Sequence, residues 1–178
     1  MSLQSKLTAL ETKTKLEVWV LASGSKGNAI YISDGKTALL LDAGLSAREI
    51  EARLAIRGLA SQNLTAILIS HHHGDHVRGI GPMSRRYGLP VYSLPATLQN
   101  CKPGNLKSVH YFDKGQAFTI NTLKIHAFDT PHDAVASAGL VIYAGGLELG
   151  VATDLGRITN AVPGHLPRCP LLVPEGNR

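Results

Sequence analysis

Cysteine is nearly absent: the 178 residues hold 2, Cys101 and Cys169, far apart and in no C-x-x-C pair. This excludes a disulfide framework and a zinc–thiolate site, and it points to a reducing compartment. No apolar run is long enough to span a bilayer, and the N-terminus lacks the apolar core of a signal peptide. The expectation is a soluble cytoplasmic protein with no membrane partner. Charge is sparse as well, at 17% of residues against 44% hydrophobic, which suits a globular chain rather than a disordered one. Basic residues outnumber acidic ones, 18 to 13, for a net charge of +5. A basic balance favours anionic partners, nucleic acid above all, yet an excess this small suits an ordinary basic cytosolic protein equally well. The length fits one domain with a sizeable core, and 18 glycines imply many turns.

What the chain does have is Ser70-His71-His72-His73-Gly74-Asp75-His76. The stretch follows a β-prone apolar run, Ala66-Ile67-Leu68-Ile69, and leads into a helix. Four histidines and a carboxylate therefore occupy a loop at the end of a buried strand, where a rigid scaffold can carry an open site. In an extended stretch side chains alternate, so His71, His73 and Asp75 point one way and His72 the other. Gly74 permits a bend, after which His76 starts the next helix and turns back. Imidazole and carboxylate together suit zinc, manganese or iron rather than calcium.

Taken in order, residues 1–15 are polar and read as an N-terminal extension, frayed or forming a short surface helix, ahead of one domain over 16–178. Leu16 to Ala22 reads as a strand. In Ser23-Gly24-Ser25-Lys26-Gly27-Asn28 the backbone N–H groups could cradle a phosphate, with Ser25 and Asn28 as the substrate-binding candidates; spacing alone favours a plain turn. Ala29–Ser33 and Thr37–Asp42 read as a hairpin turned by Asp34-Gly35. Asp42, before Ala43-Gly44, is a ligand, a support for ligands, or a cap on its loop. Ser46 and Glu49 form a capping box that opens a helix carrying Ile50 and Leu54 and ending near Arg57-Gly58. Val77–Tyr87 is helical in its second part, with Pro82 in the first turn of that part. Arg78 and Arg85 share a face if that helix is continuous, and with Arg86 they form a solvated face or, as a minority reading, a phosphate contact. Further strands are expected at 90–93, 109–112, 117–120 and 123–128, with His110 and His126 structural. A second hairpin, 140–143 and 147–153, turns at Gly145-Gly146. Strand ends thus deliver His71/His73/Asp75/His76, then His132 after Pro131, then Asp154. Convergence of donors from separate strand ends is what a metal centre requires.

In type and order these residues resemble the metallo-β-lactamase-fold hydrolases. Ser23-Gly24-Ser25-Lys26-Gly27-Asn28, Leu41-Asp42-Ala43-Gly44, His132-Asp133 and Thr153-Asp154-Leu155-Gly156 are similar to the bacterial WalJ (YycJ) type, regarded as DNA exonucleases acting from 5′ ends. The resemblance covers Leu16 to the C-terminus. It implies an α/β (α+β) fold, an αββα sandwich with two divalent metal ions, zinc or manganese, at one edge. His71, His73 and His132 would hold one ion, Asp75 and His76 the other, with Asp154 bridging; Asp75 would also be catalytic by orienting the nucleophile. The family pattern continues beyond the end of this chain to a last histidine ligand, and His165 stands at the wrong distance from Asp154 to replace it. The second half of the sandwich is therefore expected to be incomplete, the second metal weakly held and homo-oligomers possible. Two rival expectations stand beside the DNA phosphodiesterase: a small-molecule hydrolase of thioesters, lactones or lactams, and an inactive truncated metal-binding chain.

Overall fold

The computed structural model describes residues 15–130 and 136–152, and the backbone of 171–174. Eleven strands are described: β1 (Glu17–Ala22), β2 (Ala29–Ser33), β3 (Ala38–Leu41), β4 (Ala66–Leu68), β5 (Val91–Ser93), β6 (Val109–Tyr111), β7 (Ala117–Ile120), β8 (Leu123–Asp129), β9 (Ala138–Ala144), β10 (Leu147–Ala152) and β11 (Leu171–Pro174). Four helices join them: α1 (Ala47–Ala55), α2 (Gly74–Val77), α3 (Ile80–Tyr87) and α4 (Pro95–Gln99), with a 3-10 turn at Ser61–Asn63. None is long and apolar enough to cross a membrane among the described residues.

The strands form two sheets, in the orders β1-β2-β3-β4-β5-β6 and β11-β10-β9-β8-β7. Strands β1, β2 and β3 pair antiparallel, whereas β3 to β6 run parallel. Parallel neighbours need crossovers, and helices lie in the connections β3–β4, β4–β5 and β5–β6. Coverage on both faces explains why Ala38-Leu39-Leu40-Leu41 is apolar without alternation. Leu39 and Leu41 join Ile30, Ile32 and Leu68 in a core shared with Leu123, Ile125, Leu140, Ile142 and Leu149 of the second sheet. Leu40, Tyr31, Ile67 and Ile69 point the other way, onto Ile50 and Leu54 of α1 and Ile80 and Met83 of α3. Each fully buried Leu or Ile in these layers contributes about 1.5–3 kcal/mol through removal from water.

The second sheet alternates more visibly. Leu123, Ile125 and Ala127 face the shared core, while Lys124 is exposed and His126 half-buried on the opposite face. Further along, that face gains a small apolar cluster of Phe128, Val141 and Ala152.

The expected capping box is present, with the Ser46 N–H donating to Glu49 Oε2 at 3.0 Å and the Glu49 N–H to Ser46 Oγ at 3.3 Å. Pro82 sits in the first turn of α3. Besides the short 3-10 turn at Ser61–Asn63, two described elements have no counterpart in the sequence pattern. Helix α4 is five residues with Pro95 at its start, too short to show a period. Strand β11 pairs parallel with β10, Leu149 opposite Leu171, a contact between distant segments that no local pattern encodes.

One polar clamp ties the sheets together beyond the apolar core. The Thr122 hydroxyl donates to Asp34 Oδ2 at 2.5 Å, lies 2.6 Å from Thr37 Oγ1, and the Thr122 N–H donates to Thr37 Oγ1 at 3.2 Å. Burial opposes ionisation of Asp34, but the bonds from Thr122 and from the Thr37 and Lys36 N–H groups outweigh it and hold the carboxyl below its usual range. A carboxyl lowered by folding contributes stability above its unfolded pKa and loses it as pH falls through the folded one. Thr122→Val is expected to cost about 1 kcal/mol near neutral pH and to cost less in strong acid. Urea unfolding at both pH values measures this; an equal cost at both would mean Asp34 takes no part.

Candidate metal centre

Strand direction gathers the site. β3 and β4 are parallel, with Leu41 opposite Leu68, so Asp42 and Ile69-Ser70-His71 leave the sheet at the same edge. β2 runs the other way, with Ile30 opposite Leu41, so Asn28, just before β2, arrives at that edge too. The second sheet closes on it: the Ala138 N–H donates to the Ser70 carbonyl at 3.1 Å, and β8 ends at Asp129 opposite Ala138. β10 is antiparallel to β9 and also ends there. His132 and Asp154, expected to follow β8 and β10, lie outside the described residues, as do the N-terminal stretch before Lys15, His165 and Cys169.

The histidine loop is less extended than alternation requires. β4 ends at Leu68, and Gly74–Val77 is already a helical turn, with His73 as its N-cap. Asp75 is therefore placed by the helix and not by strand alternation, while His76 falls in the helix as expected. His71 and His76 are buried, with ring centroids 3.9 Å apart, and the His71 and His73 centroids are 4.7 Å apart. His72 is not fully turned away, since its ring centroid is 5.1 Å from that of His73.

Asp42 organises this cluster from beneath. It takes the left-handed conformation, φ +57°, which aspartate tolerates better than most residues. In that position Oδ1 accepts from the Ser70 N–H at 2.8 Å, and Oδ2 accepts from the Ser70 hydroxyl at 2.7 Å and from His76 Nδ1 at 2.8 Å. Of the readings open in the sequence, the structure favours the supporting role. A carboxylate only accepts, so His76 carries its proton on Nδ1 and leaves Nε2 with its lone pair. Ser70 Oγ lies 3.0 Å from His71 Nδ1 and relates to that ring in a similar way. Ser70 is a site residue that sequence reasoning missed: only its place beside a histidine tract marked it.

Two glycines let the loops meet. A Cβ on Gly44 would overlap the Asp75 carbonyl oxygen and approach the Asn28 nitrogen to 2.6 Å; one on Gly79 would overlap the Leu45 carbonyl oxygen. Through that space the Asn28 N–H donates to the Asp75 carbonyl at 2.7 Å, the Gly44 N–H to the Asn28 carbonyl at 2.8 Å, and the Ala43 N–H to the His76 carbonyl at 2.8 Å.

The serine–glycine loop divides its two candidates. Ser25 is exposed, whereas Asn28 is buried. Asn28 Oδ1 accepts from the Gly24 N–H at 2.7 Å and closes the turn, while its Nδ2 lies 2.7 Å from His76 Nε2 and 3.3 Å from Asp75 Oδ2. The arginines separate as well. Gly79 lies between α2 and α3, so the helix is not continuous across Arg78 and Arg85. Arg85 donates to the carbonyls of Pro103 and Asn105, Arg86 pairs with Glu51, and Arg78 is exposed. His110 stacks on Tyr92, 4.7 Å between centroids, in keeping with its structural reading. Cys101 offers no thiolate at neutral pH, because burial pushes its thiol up to about 11.

Among the described residues, no three histidine, cysteine or acidic side chains form a complete cation site. The donor chemistry nevertheless fits one. His76 Nε2 and Asp75 Oδ2 are 3.8 Å apart, close enough for both residues to hold one ion. The buried carboxylate on His76 Nδ1 is the orienting partner that metal-ligating histidines use.

Comparison with known proteins agrees with this architecture. Residues 37–178 match the "Beta-lactamase superfamily domain" family. The chain is 36% identical over 151 residues to exodeoxyribonuclease WalJ of Streptococcus pneumoniae, which covers 82% of this chain and 56% of that protein. It is 32% identical over 162 residues to exodeoxyribonuclease YycJ of Bacillus anthracis, covering 89% and 61% respectively. The chain thus spans little more than half the length of these curated relatives. The crystal structure of Zn(2+)-bound PqqB from Methylobacterium extorquens superposes with a TM-score of 0.74 at 17% identity, covering 89% of this chain and 72% of that one. With the family matched over most of its length and the two-sheet layering shared with a solved relative, the chain belongs to the beta-lactamase superfamily and has the metallo-β-lactamase fold.

Proposed function

We propose that this chain carries the catalytic half-site of a metal-dependent phosphodiesterase that degrades DNA from its ends, at 5′ termini. The observation that carries the reading is the likeness to two exodeoxyribonucleases, 36% identical over 151 residues and 32% over 162. The net charge of +5 is in keeping with a polyanionic substrate. His71, His73 and His132 would hold one divalent ion, Asp75 and His76 a second, with Asp154 shared between them; zinc and manganese both suit these donors. When bound, such ions supply a nucleophile at neutral pH and offset charge on a phosphoryl oxygen.

The chain's own residues do the rest. Asp42 keeps the His76 proton on Nδ1 and so leaves Nε2 with its lone pair unprotonated. Asp75 orients the attacking water by accepting a hydrogen bond from it. The water oxygen bonds to phosphorus as the bond from phosphorus to the leaving sugar oxygen breaks, and the proton that the water gives up ends on that leaving oxygen. Ser25, exposed in the serine–glycine loop, would donate to a phosphate, and Arg78, exposed just after the histidine loop, would supply a cation.

Labelled duplex DNA, a thioester and a lactone, each incubated with the chain and manganese or zinc, test the reading. Release of nucleotides from DNA ends alone is expected. DNA binding should weaken steeply with salt, and Arg78→Ala should shallow the slope by about one counterion. Turnover of the thioester or lactone without DNA cleavage would overturn the proposal in favour of a small-molecule hydrolase.

A further inference from the structure

We infer that the Asn28 side-chain amide is a built-in competitor of the second cation, holding the very nitrogen lone pair that the ion must take and coupling its entry to the serine–glycine loop. The inference rests on the proposed assignment of His76 and Asp75 to that ion. Three contacts carry it. His76 Nδ1 is 2.8 Å from an Asp42 carboxylate oxygen, so Nδ1 bears the proton and Nε2 is an acceptor. Asn28 Oδ1 takes the Gly24 N–H at 2.7 Å, which orients the amide with its NH2 group toward the histidine loop. That NH2 group reaches His76 Nε2 at 2.7 Å and Asp75 Oδ2 at 3.3 Å.

An imidazole nitrogen has one lone pair. It can accept an N–H or bind a cation, not both. The same NH2 group also aims partial positive charge at the carboxylate oxygen that would be the ion's other donor. Asn28 is buried and its backbone is bonded on both sides, through Asp75 and Gly44, so the residue cannot drift away as a whole. Only the side chain can yield. Turning it over would bring its NH2 group against the Gly24 N–H, two donors face to face, and leave the turn held by its backbone bond from the Gly27 N–H to the Gly24 carbonyl. Filling the second site therefore disturbs Ser23–Gly27, and a ligand that orders this loop differently would change the affinity for the ion. Asn28 is thus a positioning residue for the second metal, in place of the direct substrate contact expected from its loop.

The sign of a mutational effect separates this from a supporting role. Asn28→Ala removes both competing bonds and is expected to tighten the second zinc by roughly tenfold, the worth of two modest hydrogen bonds, while leaving the first zinc unchanged. Asn28→Ser, which is smaller and keeps an oxygen near the Gly24 N–H, should behave alike and serves if the alanine variant folds poorly. Calorimetric zinc titration of the full chain reads both sites, and 15N-labelled wild-type protein should show the Asn28 side-chain NH2 signals shifting with the second equivalent and not with the first. Looser second-site binding in the variants, or NH2 signals that move with the first equivalent or not at all, would overturn the inference. A wild-type chain that binds no zinc would instead overturn the metal assignment on which it rests.

Discussion

Gly44→Ala is expected to be the most damaging single substitution near the site. The added methyl would overlap the Asp75 carbonyl oxygen and sit 2.6 Å from the Asn28 nitrogen. Both obstacles are backbone, so no side-chain rotation relieves the clash. The Asp42–Leu45 turn would have to separate from α2 and from the start of β2. Doing so breaks the Asn28 N–H bond to Asp75, the Gly44 N–H bond to Asn28 and the Ala43 N–H bond to His76. Overpacking of this kind costs about 3 kcal/mol, occasionally more. The loss should appear as a lower urea midpoint together with weaker zinc binding, because Asp75 and His76 are displaced along with the backbone. A variant of wild-type stability would show that these loops part without cost and that the close approach is incidental.

The second large effect is expected from Asp42→Ala. Removing the carboxylate strands the Ser70 N–H, the Ser70 hydroxyl and the His76 Nδ1–H in an interior where Asp42 is 1% exposed and His76 0%. Stranded buried donors and a positive φ imposed on alanine together cost about 3 kcal/mol or more. The His76 ring also loses its orienting partner, so zinc affinity should fall roughly 10- to 100-fold. Asp42→Asn tolerates the backbone conformation and keeps one acceptor oxygen, so it should lose less stability than alanine. Its NH2 group cannot accept, however, and half the Asp42 anchorage of Ser70 and His76 goes with it. Denaturant unfolding and zinc titration on both variants decide the matter. An alanine variant that keeps full zinc affinity would show that His76 is oriented by the surrounding packing alone.

Much of this centre was readable along the chain, and the rest was not, for reasons of geometry. The run Ala66 to Ile69, the histidine tract and the Ser46/Glu49 capping box are local patterns. Hydrophobic continuity, donor type and a three-residue spacing carry their meaning without knowledge of partners. The resemblance to metallo-β-lactamase-fold hydrolases rests on short motifs too: the histidine tract, Ser23 to Asn28, Leu41 to Gly44, His132-Asp133 and Thr153 to Gly156. By contrast, Asp42 stood open between three roles, because a carboxylate after a strand has no fixed meaning until its neighbours are known. Asn28 stands open between a plain turn and a phosphate contact, since nothing in Ser23 to Asn28 tells which way the last side chain turns.

The kinds of chemistry available are local properties of the chain: imidazole and carboxylate donors at strand ends, a helix cap, and apolar strands that must be covered on both faces. How those groups meet is a property of the folded chain. Parallel pairing of β3 with β4 and antiparallel pairing of β2 bring Asn28, Asp42 and Ser70 to one edge, though they are 14 and 28 residues apart along the chain. Gly44 and Gly79 then allow backbones to approach within hydrogen-bonding distance. Those contacts set the His76 tautomer and turn Asn28 inward, and no local pattern contains them, because hydrogen-bond partners are selected by strand pairing and loop closure across the fold.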